Sequence, residues 1–107
     1  MPKRTYAALW SDDGERPLAG TVALSRTGLR FEGSASGRQA LRRISYETIQ
    51  GLHLGRSGAE RLGGRPVLVL HLGDARPHLR IAAPEPGALH ELTEAIVELT
   101  NTKGETP

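Results

Sequence analysis

The chain has no cysteine. That one absence removes disulfides, thiolate metal sites and cysteine nucleophiles together, and it fits a reducing compartment. Aromatic residues are nearly as scarce: Tyr6, Trp10, Phe31 and Tyr46 are the whole set in 107 residues. A base-stacking platform for nucleic acid needs more than that, so no nucleic-acid partner is expected. No apolar run approaches a membrane span. Met1-Pro2-Lys3-Arg4 is followed by no apolar stretch of the kind a secretory signal carries. The expected location is the cytoplasm. Lysine is rare as well, 2 residues against 12 arginines, beside frequent Ala, Gly and Leu. This reads as the coding bias of a GC-rich bacterial genome rather than as nucleic-acid chemistry.

What is present is one domain's worth of chain, expected to span residues 1–107 with a core over 4–100 and a frayed tail over 101–107. Charge is unevenly spread. Residues 1–83 hold 13 basic and 7 acidic side chains, and residues 84–107 hold 1 and 5, within a net charge of +2. Short strand-like runs fill the basic part. Residues 4–10 are rich in strand formers, and Ser11-Asp12-Asp13-Gly14-Glu15-Arg16-Pro17 reads as a polar loop. Leu18, Gly20, Val22 and Leu24 recur at period 2, and Leu29-Arg30-Phe31-Glu32 alternates apolar with charged, as a half-buried strand must. A flexible loop is expected over residues 33–37 and a strand over 39–45. In that strand Leu41 and Ile44 cannot share a face at strict period 2. Either a bulge near Arg42-Arg43 reconciles them or Leu41 faces out. Tyr46-Glu47-Thr48-Ile49 reads as a short turn before a strand over 50–56. A polar glycine-rich loop over 57–64 precedes Pro66-Val67-Leu68-Val69-Leu70-His71-Leu72, which is apolar on both faces. Such a strand lies deep in a sheet or is covered on its outer side too. A seventh strand follows over 78–83.

A helix starts near Pro84-Glu85-Pro86, where proline is tolerated and Glu85 suits the positive end of the helix dipole. Leu89, Leu92, Ile96 and Leu99 form its apolar stripe, with Ala88 and Ala95, and Glu91, Glu94 and Glu98 form the opposite face. The expected class is therefore mainly β (α+β): a seven-stranded antiparallel barrel or sandwich capped by one C-terminal α-helix.

Candidate chemistry is thin. His53, His71, His78 and His90 sit on three strands and the helix. His71 and His78 flank one turn and are candidate cross-strand neighbours, but two histidines without a third ligand make a poor metal site. Asp12-Asp13-Gly14-Glu15 lacks the spaced oxygen ligands of a calcium loop. Gly55-Arg56-Ser57-Gly58 and Gly63-Gly64-Arg65 do not lie between a strand and a helix, as a phosphate loop would. Ser25, Ser34 and Ser45 have no base in pattern beside them. No enzyme and no cofactor is expected. Arg30, Arg42, Arg43 and Arg80 are expected to face solvent as a basic patch, extended by Arg56 and Arg65. Leu41 and Val97, off the apolar faces of their elements, are the candidate interface residues.

Seven strands and a helix, in that order, also resemble a known family. The residues that carry the likeness are Gly20-Thr21-Val22-Ala23-Leu24 with Gly28-Leu29-Arg30-Phe31, the run Arg43-Ile44-Ser45-Tyr46-Glu47-Thr48-Ile49, Arg65-Pro66-Val67-Leu68-Val69-Leu70, and the terminal helix. Over residues 4–100 the chain resembles the bacterial pleckstrin-homology-like (PH/GRAM-like) superfamily. The resemblance implies two stacked, near-orthogonal sheets with the helix plugging one open corner. In the eukaryotic branch, phosphoinositides bind beside the loop joining strands one and two, through a strand-one lysine and basic residues opening strand two. Here that loop carries three acids, Arg16 is its only basic residue, and the helix lacks that branch's tryptophan. The departures favour a non-catalytic PH-like binding or adaptor module acting by contact with an unidentified protein, self-association included. The alternatives are a peripheral adaptor laying a basic strand face on anionic lipid, and a small ligand-binding barrel of the flavin-binding type.

Overall fold

The computed structural model describes residues 4–12, 15–55, 62, 64–74 and 77–104. Its strands are β1 (Arg4–Asp12), β2 (Leu18–Leu24), β3 (Gly28–Ala35), β4 (Arg38–Ser45), β5 (Ile49–Gly55), β6 (Val67–Leu72) and β7 (His78–Ala82). A 3-10 turn (Tyr46–Thr48) joins β4 to β5, and α1 (Pro86–Gly104) follows the last strand. The fold is mainly β: seven antiparallel strands in a half-barrel with one C-terminal helix.

The strands run in the order β4-β3-β2-β1-β7-β6-β5 as one continuous sheet. They do not separate into two, because the nine-residue β1 changes partner along its length. It pairs with β2 from Arg4 to Trp10 and with β7 from Leu9 to Asp12. That second pairing also draws Ser11 and Asp12 out of the expected loop and into a buried strand end. β4 and β5 are neighbours in sequence yet form the two edges of the sheet. The short turn between them must bring opposite edges together, and the curl of the sheet allows it. Tyr46 anchors this corner. Its hydroxyl donates to the Ser25 carbonyl at 2.6 Å, and burial raises its pKa. Thr48 O accepts from Gly73 N–H at 2.9 Å, tying the end of β6 to the same corner.

The period-2 pattern lands where it should. Leu18, Val22, Leu24, Leu29, Phe31, Ile44, Leu68, Leu70, Leu79 and Ile81 are buried together with Trp10. Trp10 lies across β3: Nε1–H donates to Glu32 O at 3.0 Å, and its ring stands 5.4 Å from that of Phe31. Gly33 makes room for this, since a Cβ there would sit 2.9 Å from Trp10 Nε1. α1 lays Leu92, Ala95 and Ile96 on the same core, with Leu89 and Leu99 half-buried beside them. Burying a side chain such as Leu92 or Ile96 contributes about 1.5–3 kcal/mol. The helix continues to Gly104, past the point where fraying was expected.

Two local expectations change. Residues 33–35 extend β3, and what remains of the expected loop is a tight turn. Ser36 and Gly37 both adopt positive φ, 51° and 79°, as the favoured two-residue hairpin turn requires. The apolar faces of β6 are both covered. Leu68 and Leu70 face the main core, while Val67 and Val69 pack with Leu62, Ala82 and Leu9 in a second cluster outside the sheet.

Candidate interaction surface

The register of β2, β3 and β4 builds the outer face of one half of the sheet. Ala23, Arg30 and Arg43 form one row and Thr21, Glu32 and Leu41 the next. Arg30 and Arg43 are direct cross-strand partners, both exposed. Arg30 Nε is 3.4 Å from Glu32 Oε2 on its own strand. Two shallow concavities meet at Arg30. One, of about 530 Å³, is lined by Ala19, Thr21, Glu32, Gln39 and Leu41 among others, and the second, of about 420 Å³, by Ala23, Thr27, Arg43 and Ser45. Leu41 is 51% exposed, and with Leu54 it makes up the large exposed hydrophobics among the described residues. The β3–β4 register runs unbroken from Gly28↔Ser45 to Ala35↔Arg38. No bulge is needed: Leu41 faces out because Ile44 faces in.

The same alternation corrects the expected patch. Arg42 shares the inward face with Ile44 and is only 8% exposed, so it does not belong to any solvent-facing patch. Its Nη1 donates to Asp12 Oδ1 and its Nη2 to Asp74 Oδ2, both at 2.8 Å. A buried guanidinium requires such partners. Arg80 lies on the outer face of β7, opposite Ser11 and Val69, with β1 and β2 between it and β3. Of the four arginines, Arg30 and Arg43 are brought together, Arg80 stands apart and Arg42 is inside. Val97 is half-buried on the flank of α1. Arg56 lies outside the described residues, and Arg65 Nη1 donates to Pro84 O at 2.7 Å.

The chain matches no family model and no curated protein.

The histidines assemble further than their spacing shows. His71 and His78 are cross-strand partners, as expected, with rings 5.2 Å apart. His53 joins them from β5: its Nδ1 is 2.7 Å from His71 Nε2. This neighbour was missed because the β5–β6 register depends on the intervening loop, whose length in space the sequence does not reveal. Among the described residues, no group of three or more His, Asp or Glu is arranged to hold a metal ion. His90 stands apart on α1, with Nε2 2.9 Å from Glu94 Oε1.

Several of the remaining candidates have local partners. Asp12 pairs with Arg42, and Ser11 Oγ donates to Glu15 O at 2.6 Å, shaping the loop after β1. Asp13 and Gly14 lie outside the described residues, as do Ser57, Gly58 and Gly63. Ser25 Oγ donates to Gly28 O at 3.1 Å within the β2–β3 turn, and Ser45 Oγ lies 2.9 Å from Thr48 Oγ1. No described helix is long and apolar enough to cross a membrane.

Proposed function

We propose that this chain is a PH-like, non-catalytic binding module that works by protein contact along β4. The observation that carries the reading is the environment of Leu41. It stands half-exposed at the middle of an eight-residue, bulge-free strand that ends the sheet. Such an edge is a template for another strand. Beside Leu41 the Arg30–Arg43 pair sets two like charges opposite each other, an arrangement that weakens a sheet when left alone. An acidic residue on the incoming segment would relieve it. The preferred partner is therefore an extended segment with an apolar side chain for Leu41 and a carboxylate for Arg43.

A photo-crosslinking amino acid at position 41, introduced into the chain in its native cytoplasm, tests this. A discrete adduct is expected, and it should be lost when Arg43→Glu is added. An adduct at the mass of two copies identifies self-association, and one at another mass a different protein. No adduct beyond that given by the same group at Glu91, exposed on α1 away from β4, would overturn the reading.

The alternative is a peripheral adaptor on anionic lipid, supported by the adjacent Arg30 and Arg43. Attraction to such a surface is worth about 1 kcal/mol per nearby basic residue. With Arg42 inside and Glu32 beside Arg30, the surface supplies little of it. Vesicle flotation is expected to show weak binding at low salt and none at physiological salt. Tight, headgroup-selective flotation would favour the membrane reading. The ligand-binding barrel has the least support, because Trp10, Phe31, Leu70, Leu92 and Ile96 fill the inner face.

A further inference from the structure

On the opposite half of the sheet, the outer face carries a second arrangement that protein contact along β4 does not use. Reading across the strands, Gly51, His71 and His78 form one row and His53, Val69 and Arg80 the next. Three imidazoles and a guanidinium thus share one small area. We propose that His53, His71 and His78 form a proton-sensitive latch that holds edge strand β5 onto β6 at neutral pH and releases it in mild acid.

The latch follows from what a bond between two imidazoles requires. His53 Nδ1 and His71 Nε2, 2.7 Å apart, need one N–H and one lone pair between them. At most one ring of the pair can be protonated while the bond stands. When both are, two donors face each other, and two positive charges meet across the same gap. His78, with its ring 5.2 Å from that of His71, adds a third charge, and Arg80 is already charged. Among the described residues on the other elements around the cluster, Ser11 of β1 lies opposite Arg80 and carries no charge. Asp74, in the turn after β6, bonds Arg42, and Arg65, before β6, donates to the Pro84 carbonyl.

As an edge strand, β5 is held by its ladder to β6 on one side alone, with Ile49 and Leu52 half-buried against the core. Only Gly55 among its residues is fully buried, and its register slips between Ile49 and Gly51. β6 is the reverse: five of its six residues are buried. Releasing β5 therefore uncovers the most apolar strand edge in the chain, ready to pair with another strand.

His71, between the other two, sets the direction. Loss of hydration, reinforced by His53 and His78, holds its pKa below the usual imidazole value. A detached β5 leaves His71 nearer the ordinary value of about 6.5, so the open form takes up protons first. The latch is at full strength above about pH 6.5 and is lost as pH falls through the depressed value of the closed form.

Hydrogen exchange followed by mass spectrometry, corrected for the intrinsic pH dependence of exchange, tests the latch. Between about pH 7.5 and about pH 5.5, amides of β5 are expected to lose severalfold more protection than those of β2. His71→Gln, which cannot take up the charge, should abolish that loss. His90→Gln, remote on α1, should leave it intact. Equal pH responses in β5 and β2, or an unchanged response in His71→Gln, would overturn the proposal. Should His71→Gln not fold, imidazole titration of the wild-type chain by NMR decides. Linked curves for His53 and His71, one displaced to acid, support the latch, and three independent curves at the ordinary value refute it.

Discussion

Replacing Arg42 by alanine would cut a side chain that ties three separate parts of the half-barrel. Arg42 reaches from edge strand β4 to Asp12 at the end of β1 and to Asp74 after β6. The two arms differ in weight. Arg42 and Asp12 are each 8% exposed, whereas Asp74 is 39% exposed. The Asp74 arm is screened by solvent and is worth about 0–1 kcal/mol. The Asp12 arm is buried, and removing its cation takes the 2.8 Å ion pair from a buried carboxylate, at a cost of about 3–5 kcal/mol. At about 4 °C per kcal/mol for a domain of this size, Arg42→Ala should lower Tm by roughly 12–20 °C. Circular dichroism melts at neutral pH measure this, with Asp74→Asn as the companion, expected to lose only a few degrees. The double replacement Arg42→Met with Asp12→Leu removes both buried charges and fills much of the same space, so it should recover most of the loss. If Arg42→Ala melts within a few degrees of wild type, or the double replacement is worse than the single one, the buried bridge does not brace the fold.

Leu92→Asp buries an unpaired charge beneath α1 and is expected to leave the chain unfolded at ambient temperature, with loss of the cooperative melt as the readout. Tyr46→Phe removes the hydrogen bond to Ser25 O and should cost about 1 kcal/mol by urea titration. Because burial raises the Tyr46 pKa, its contribution is present below the ordinary value near 10 and fades as pH rises beyond it, so Tyr46→Phe should flatten the alkaline loss of stability. Prolonged chelation should leave Tm unchanged, and a large drop would point to a metal held in the native fold.

Most of the strand plan was legible because period 2 is a local property. Val22, Phe31 and Ile81 declare their face within a few residues of chain. The helix was legible for the same reason, at its own period. What was hidden depends on pairing between distant residues. A charged residue flanked by others in Leu41-Arg42-Arg43-Ile44 looks like surface until Asp12 and Asp74, 30 and 32 residues away, are seen to meet it. The partition of Leu41 and Ile44 was correctly posed as a choice, and register alone decided it. His53 could not be placed beside His71 without the course of the loop between their strands. Leu62 likewise sits in a polar-looking loop, and its role as the outer cover of β6 shows only in three dimensions.

The change of partner along β1 has a consequence for how the chain acquires its shape. β1 to β4 form one meander of nearest neighbours and β5 to β7 another, each closing only short loops. The strand ladder between them is the stretch from Leu9↔Ala82 to Asp12↔Leu79, four residue pairs linking positions some 70 apart in sequence. Closing a loop that long is slow and entropically costly. The two meanders therefore have reason to form first and dock last along this seam. Pulled apart, the chain should part there before either meander unravels.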